Sequence, residues 1–121
     1  MKKRYRCPLD GITAEARVER EKNLHLNVFA EWFRMIYSGE KTEDYREMSA
    51  FWHKRLVGKN YETVTVRNGF DTFAPEMRFA FAGYEIGEGR PEWGAPGTKT
   101  VFIVRFGARL SEANIEPPKK V

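Results

Sequence analysis

Gly39-Glu40-Lys41-Thr42-Glu43-Asp44-Tyr45-Arg46 marks a change of hydrophobic period across a single glycine. Before it, Phe29, Trp32, Phe33, Ile36 and Tyr37 recur at the i, i+3, i+4, i+7, i+8 spacing of an amphipathic helix, and Gly39 stands where a helix-ending glycine stands. After it the chain alternates, which predicts a short strand with Thr42, Asp44 and Arg46 on one face and Lys41 at its mouth. Helix, glycine stop and strand therefore meet at a cation, an acid and a second cation. That combination is expected to form a small polar site, with the aromatic stripe of the helix assigned to the core.

Working outward, Leu24, Leu26 and Val28 alternate with His25 and Asn27 and predict a first strand. A second helix is expected from about Ser49 to Val57, ending at Gly58, with Met48, Phe51, Trp52 and Leu56 as its apolar stripe. Arg55 falls within that stripe, so either its stem packs on Trp52 while its head snorkels to water or pairs with Asp44, or it joins Lys41 and Arg46 at an anion. Thr63 to Arg67 reads as a strand followed by the turn dipeptide Asn68-Gly69. Strands resume at Phe79–Ile86 and at Val101–Val104, the latter apolar on both faces and expected to be central; between them Gly87 to Gly97 is a glycine- and proline-rich loop. Short strands, two early helices and mostly antiparallel connections predict an α+β fold built on a small β-barrel. Ser111 to Val121 is expected to fray.

With 121 residues, 41% of them hydrophobic and 31% charged, the chain has one domain's worth of core. No apolar run approaches the roughly 20 residues that span a bilayer, and the basic start lacks an apolar segment behind it, so a cytoplasmic protein with no membrane partner is expected. The single cysteine, Cys7, excludes an internal disulfide and a multi-cysteine metal site. Two histidines, His25 and His53, do not make a histidine-rich metal centre, so neither metal nor cofactor is expected. The formal charge of +4 is unevenly placed: residues 1–22 hold seven cations against four acids, leaving the rest almost neutral. Lys2, Lys3, Arg4 and Arg6 are expected to be a solvated tail, with a phosphate-contacting arm as the other reading.

The stretch from Gly39 to Arg46 resembles the signature G-x-K-x-x-E-x-R of the ASCH domains, a branch of the PUA-like superfamily, with Asp44 one methylene shorter than the usual glutamate. The likeness extends through Trp32-Phe33, Tyr45-Arg46-Glu47, Phe51-Trp52, Arg55-Leu56, Arg67-Asn68-Gly69 and Pro91-Glu92-Trp93-Gly94-Ala95-Pro96. It divides the chain into a leader (1–23), an ASCH domain (24–111) and a tail (112–121), and it implies a PUA-like barrel of the small bacterial or phage type. It also implies a cleft for RNA or a modified nucleotide. Some members of the family hydrolyse acetylated cytidine with the motif lysine, and another cleaves RNA. That alternative implicates Lys41, with Asp44 where those amidohydrolases carry threonine and Glu92 as the candidate for their distant glutamate.

The residues speak to the same chemistry. Burial and a neighbouring cation lower a lysine's proton affinity, whereas a carboxylate raises it, so Lys41 is either a base or nucleophile, or a charged clamp. Asp44, Glu85, Glu88 and Glu92 are candidate proton relays, Glu92 lying on the loop best able to reach over a pocket. The expected ligand-binding set is Lys41, Arg46, Arg55, Arg67, Asn68 and Trp93, the last either stacking on a base or plugging one end of the barrel. Single-stranded RNA, a nucleotide or a nucleoside is the expected partner.

Overall fold

The computed structural model describes residues 22–95 and 99–115. The elements are β1 (Asn23–Asn27), α1 (Ala30–Ser38), β2 (Glu43–Glu47), α2 (Ala50–Leu56), β3 (Thr63–Arg67), β4 (Glu76–Glu88), a 3-10 turn (Pro91–Trp93) and β5 (Thr100–Ala113). The fold is α+β. The five strands form one mixed sheet in the order β1-β3-β4-β5-β2, with β1 parallel to β3 and the other pairings antiparallel. β1 and β2 are thus its two edges, and no backbone ladder joins them.

Alternation produces the core. Leu24 and Leu26 of β1, Val64 and Val66 of β3, Met77 and Phe79 of β4, and Phe102 and Val104 of β5 point to one side and meet Phe33 and Ile36 of α1 and Leu56 of α2. The parallel pair is pinned by Asn23, whose side-chain oxygen accepts from both Thr63 Oγ1 (2.7 Å) and Thr65 Oγ1 (3.1 Å). Gly39 ends α1 in the left-handed region, at a φ of 91°, with its N–H returned to the Ile36 carbonyl. Ser49 opens α2 by accepting from the Trp52 N–H. Arg109 of β5 reaches the Ile36 and Tyr37 carbonyls (3.1 and 2.7 Å), tying the end of α1 to the sheet.

Four expectations change. In α1 only Phe33 and Ile36 are buried; Trp32 is half-buried, and Phe29, at the N-cap, is 78% exposed. In α2 only Leu56 is buried; Trp52 is half-buried and packs against the core, whereas Met48 before the helix and Phe51 are exposed. These helices are short, and each presents one narrow seam to the sheet, too narrow to bury a full stripe. The β3–β4 connection is a loop over residues 68–75 that opens on Asn68-Gly69 and is closed by the Asn68 N–H on the Pro75 carbonyl (2.9 Å), with β4 resuming after Pro75 as expected. β5 continues to Ala113, because the equally long β4 offers it a ladder as far as Glu76. Asn114 then bonds the Ala74 carbonyl and Ile115 packs on the core, so the start of the expected tail belongs to the fold. The leader cations Lys2, Lys3, Arg4 and Arg6, together with Cys7, lie outside the described residues. Among the described residues no helix is long and apolar enough to cross a membrane.

Phe102 is wholly buried and its ring lies 5.8 Å from that of Tyr84. Phe102→Ala removes that ring from the junction of β4 and β5 and is expected to cost about 3–5 kcal/mol in chemical denaturation.

Candidate functional site

β2 builds the site by sending its residues to two faces. Asp44 and Arg46 pair in register with Val104 and Phe102 and share their inward face, while Glu43 and Tyr45 pair with Arg105 and Ile103 on the other. Thr42 is exposed and precedes the strand, so it does not join Asp44 and Arg46 as expected.

Arg46 does most of the joining. Its Nε donates to Asp44 Oδ2 at 2.6 Å, its Nη2 donates to the Asn27 carbonyl at the end of β1 at 2.8 Å, and its guanidinium lies 4.9 Å from the centre of the Trp52 ring. One side chain therefore links the two edges of the sheet and rests on α2. A charged hydrogen bond of this kind contributes about 1.5–3 kcal/mol when buried.

Lys41 lies behind this pair rather than at the mouth of the strand. It is 2% exposed, and its Nζ donates to the Glu43 carbonyl at 2.6 Å, stands 3.8 Å from Asp44 Oδ1, and lies 4.7 Å from the Tyr45 ring centre and 5.7 Å from that of Trp32. Burial lowers its proton affinity below the ordinary 10.5; Asp44 and Glu43 oppose that shift and Arg46 adds to it.

On the other face, Tyr45 donates to Glu43 Oε2 (2.6 Å) and accepts from the Arg90 N–H (3.0 Å). Burial, reinforced by the bond to Glu43, pushes its hydroxyl up to about 12. Arg105 clamps Glu43 and Glu85 (2.8 and 2.9 Å). The loop passes so close here that a methyl group on Gly89 would stand 2.5 Å from the Tyr45 ring.

Between the sheet edges opens a cleft of about 450 Å³. Phe29, Trp32, Trp93, Asp44, Arg46 and Asn68 line it, with Tyr45 between the two charged residues of β2, and Phe70, 83% exposed, belongs to the same lining. A volume of roughly 300–1,000 Å³, mostly apolar and with a few convergent polar groups, is ordinary for a small-ligand site.

The expected site residues are thus sorted by the fold. Lys41, Asp44 and Arg46 are brought together, and Asn68 and Trp93 stand in the cleft wall, with the Arg90 guanidinium 4.7 Å from the Trp93 ring. Arg55 does not pair with Asp44: it is exposed, stacks on Phe51 at 4.0 Å and lines an adjoining groove. Arg67 turns away, bonding the Asp71 and Thr72 carbonyls; its Nε lies 3.2 Å from Glu76 Oε1 without the alignment of a hydrogen bond, so charge holds that pair. It braces the 68–75 loop instead of lining the cleft. Glu92 is exposed and pairs with Arg90 at 3.7 Å, outside the cleft lining, because the 3-10 turn directs Trp93 inward and leaves Glu92 in solvent. Glu85 is held by Arg105, and Glu88 is exposed.

Phe29, Trp32, Tyr45 and the Asn27 carbonyl were not anticipated as site groups. The Glu43-x-Tyr45 alternation was a visible signal for a second polar face, but the register that brings Arg105 to it was not. Among the described residues no group of three or more His, Cys, Asp or Glu side chains is placed to hold a metal ion.

Two outcomes follow from this geometry. An unfolded chain binds the Lys41 proton more tightly than the folded one, so the Lys41 contribution to stability rises as pH climbs from its lowered folded value towards 10.5. Denaturation measured below pH 10, before Tyr45 begins to act in the opposite sense, should show that rise in the wild type and lack it in Lys41→Met. Gly89→Ala must displace the Tyr45 ring or the loop, and should alter near-ultraviolet circular dichroism and lower the melting temperature while leaving the far-ultraviolet spectrum intact. No family model, curated protein or solved structure matches the chain, so the geometry of the site is what speaks to its function.

Proposed function

We propose that the chain is a PUA-like domain of the ASCH type whose cleft binds an unpaired RNA base or a modified nucleotide. The observation that carries this reading is the composition of the cleft: the aromatic residues Phe29, Trp32 and Trp93 line it together with an acceptor, Asp44, and an amide, Asn68, in a space of nucleoside dimensions. Unpaired bases are held in this way, by stacking on aromatic faces and by hydrogen bonds along a base edge. The signature residues add support, since Asp44 and Arg46 line the cleft as an ion pair and Lys41, buried behind them, pairs with Asp44. The barrel reading is supported by Arg46, whose bond to Asn27 draws the sheet edges towards each other.

The alternative, a small hydrolase acting on acylated cytidine nucleosides or on RNA, has one observation in its favour: burial lowers the proton affinity of Lys41, as a base or nucleophile needs. Its position is against it. Lys41 is not part of the cleft lining, and Nζ is engaged by Glu43 and Asp44. We therefore assign Lys41 the role of a buried charge that holds the Asp44 carboxylate in position behind the cleft.

Base–aromatic stacking contributes about 1–3 kcal/mol per base, so Trp93→Ala should weaken the binding of short single-stranded RNA by about 5- to 150-fold in fluorescence anisotropy. The RNA recovered at each endpoint should run intact on a denaturing gel. Shortened RNA, or release of acetate from acetylated cytidine that disappears in Lys41→Met, would replace the binding reading with the hydrolase.

A further inference from the structure

A second groove, of about 950 Å³, adjoins the cleft and shares Asn27, Arg46 and Phe70 with it. Its other walls differ in charge. Asp44 balances Arg46 within the cleft, whereas the groove lining adds Arg55 and Lys59 and, among the described residues, contains no carboxylate. Neither Arg55 nor Lys59 has an ion-pair partner among the described residues.

The two arginines are connected through a ladder of rings. The Arg46 guanidinium lies 4.9 Å from the Trp52 ring, Trp52 meets Phe51 edge to face at 5.2 Å, and the Arg55 guanidinium lies 4.0 Å from the Phe51 ring. Stacking holds a guanidinium in place without using its N–H groups, which stay available to an anion. Tyr61 fixes the end of the ladder by donating its hydroxyl to the Arg55 carbonyl at 2.5 Å. The groove therefore offers rings along its wall and, at its far end, two cations without an ion-pair partner among the described residues, and it opens directly from a base-sized cleft.

We propose that this groove carries the phosphodiester backbone of a single strand whose unpaired base occupies the cleft, with Arg55 and Lys59 on phosphate and Phe70 between the two bound portions. The ligand is then an oligonucleotide rather than a free nucleoside. This inference rests on the base-binding reading of the cleft and specifies the ligand class for it. Single-strand tracks in proteins combine these two elements, a cationic path and aromatic faces.

The test uses the full chain and measures affinity for a nucleoside, a dinucleotide and an octanucleotide of each ribonucleotide, as a function of salt. The wild type should bind the octanucleotide about tenfold or more tightly than the nucleoside. In Arg55→Gln/Lys59→Gln that gain should vanish, and the slope of log affinity against log salt should flatten by about 1.4, the value for two single-strand phosphate contacts. Equal affinity for nucleoside and octanucleotide, or an unchanged octanucleotide affinity and slope in the double variant, overturns the proposal. So does displacement of the octanucleotide by hexaglutamate at equal potency, which would make the groove a site for acidic peptide. Octanucleotide binding that needs Arg55 and Lys59 but is indifferent to Trp93→Ala would leave the groove standing and sink the reading of the cleft.

Discussion

Arg46 is the interaction on which the site depends. The sheet order leaves β1 and β2 at opposite edges, each with backbone groups that no strand among the described residues satisfies. A single guanidinium spans the gap, taking the Asn27 carbonyl from one edge and the Asp44 carboxylate from the other. Everything that gives the cleft its walls is placed relative to that contact: Asn27 and Phe29 follow β1, Tyr45 neighbours Arg46 on β2, and Trp52 lies beneath the guanidinium. A lysine could not replace it, since the geometry needs two donors in a fixed fork.

Behind it, Lys41 meets a different constraint. An ammonium group at 2% exposure is costly unless it is compensated, and here a carbonyl, a carboxylate and two ring faces share that task. The carboxylate is also committed to Arg46, so Asp44 stands between two cations. Such an arrangement fixes the position of the carboxylate, since both of its oxygens face a cation.

Much of the framework was legible because it is written in local periods. The alternation of Leu24 and Leu26, the i, i+3 spacing of Phe33 and Ile36, and Gly39 as a helix stop each specify their element with few residues. What could not be read was anything decided by pairing. Whether Trp32 or Phe33 is the buried ring depends on where α1 sits against the sheet, and the length of β5 depends on β4. The site divides in the same way. Lys41, Asp44 and Arg46 are near neighbours in sequence and their grouping was visible, whereas Arg67 and Glu92 were assigned by proximity to loops whose direction the sequence leaves open. Each found a local partner instead, Glu76 and Arg90.

The register of β2 bears on how the protein is made. Its strand partner is β5, and the contact between Glu43 and Arg105 spans 62 residues of chain. During synthesis from the N-terminus, β2 and both helices emerge well before the strand that β2 must pair with. Long-range pairings of this kind form late, after loop closure has been met by other contacts. Asp44 and Arg46 therefore have no fixed orientation on the ribosome until β5 has cleared the exit tunnel. The cleft is thus a property of a chain that already includes β5, and a nascent one that lacks it has no such cleft.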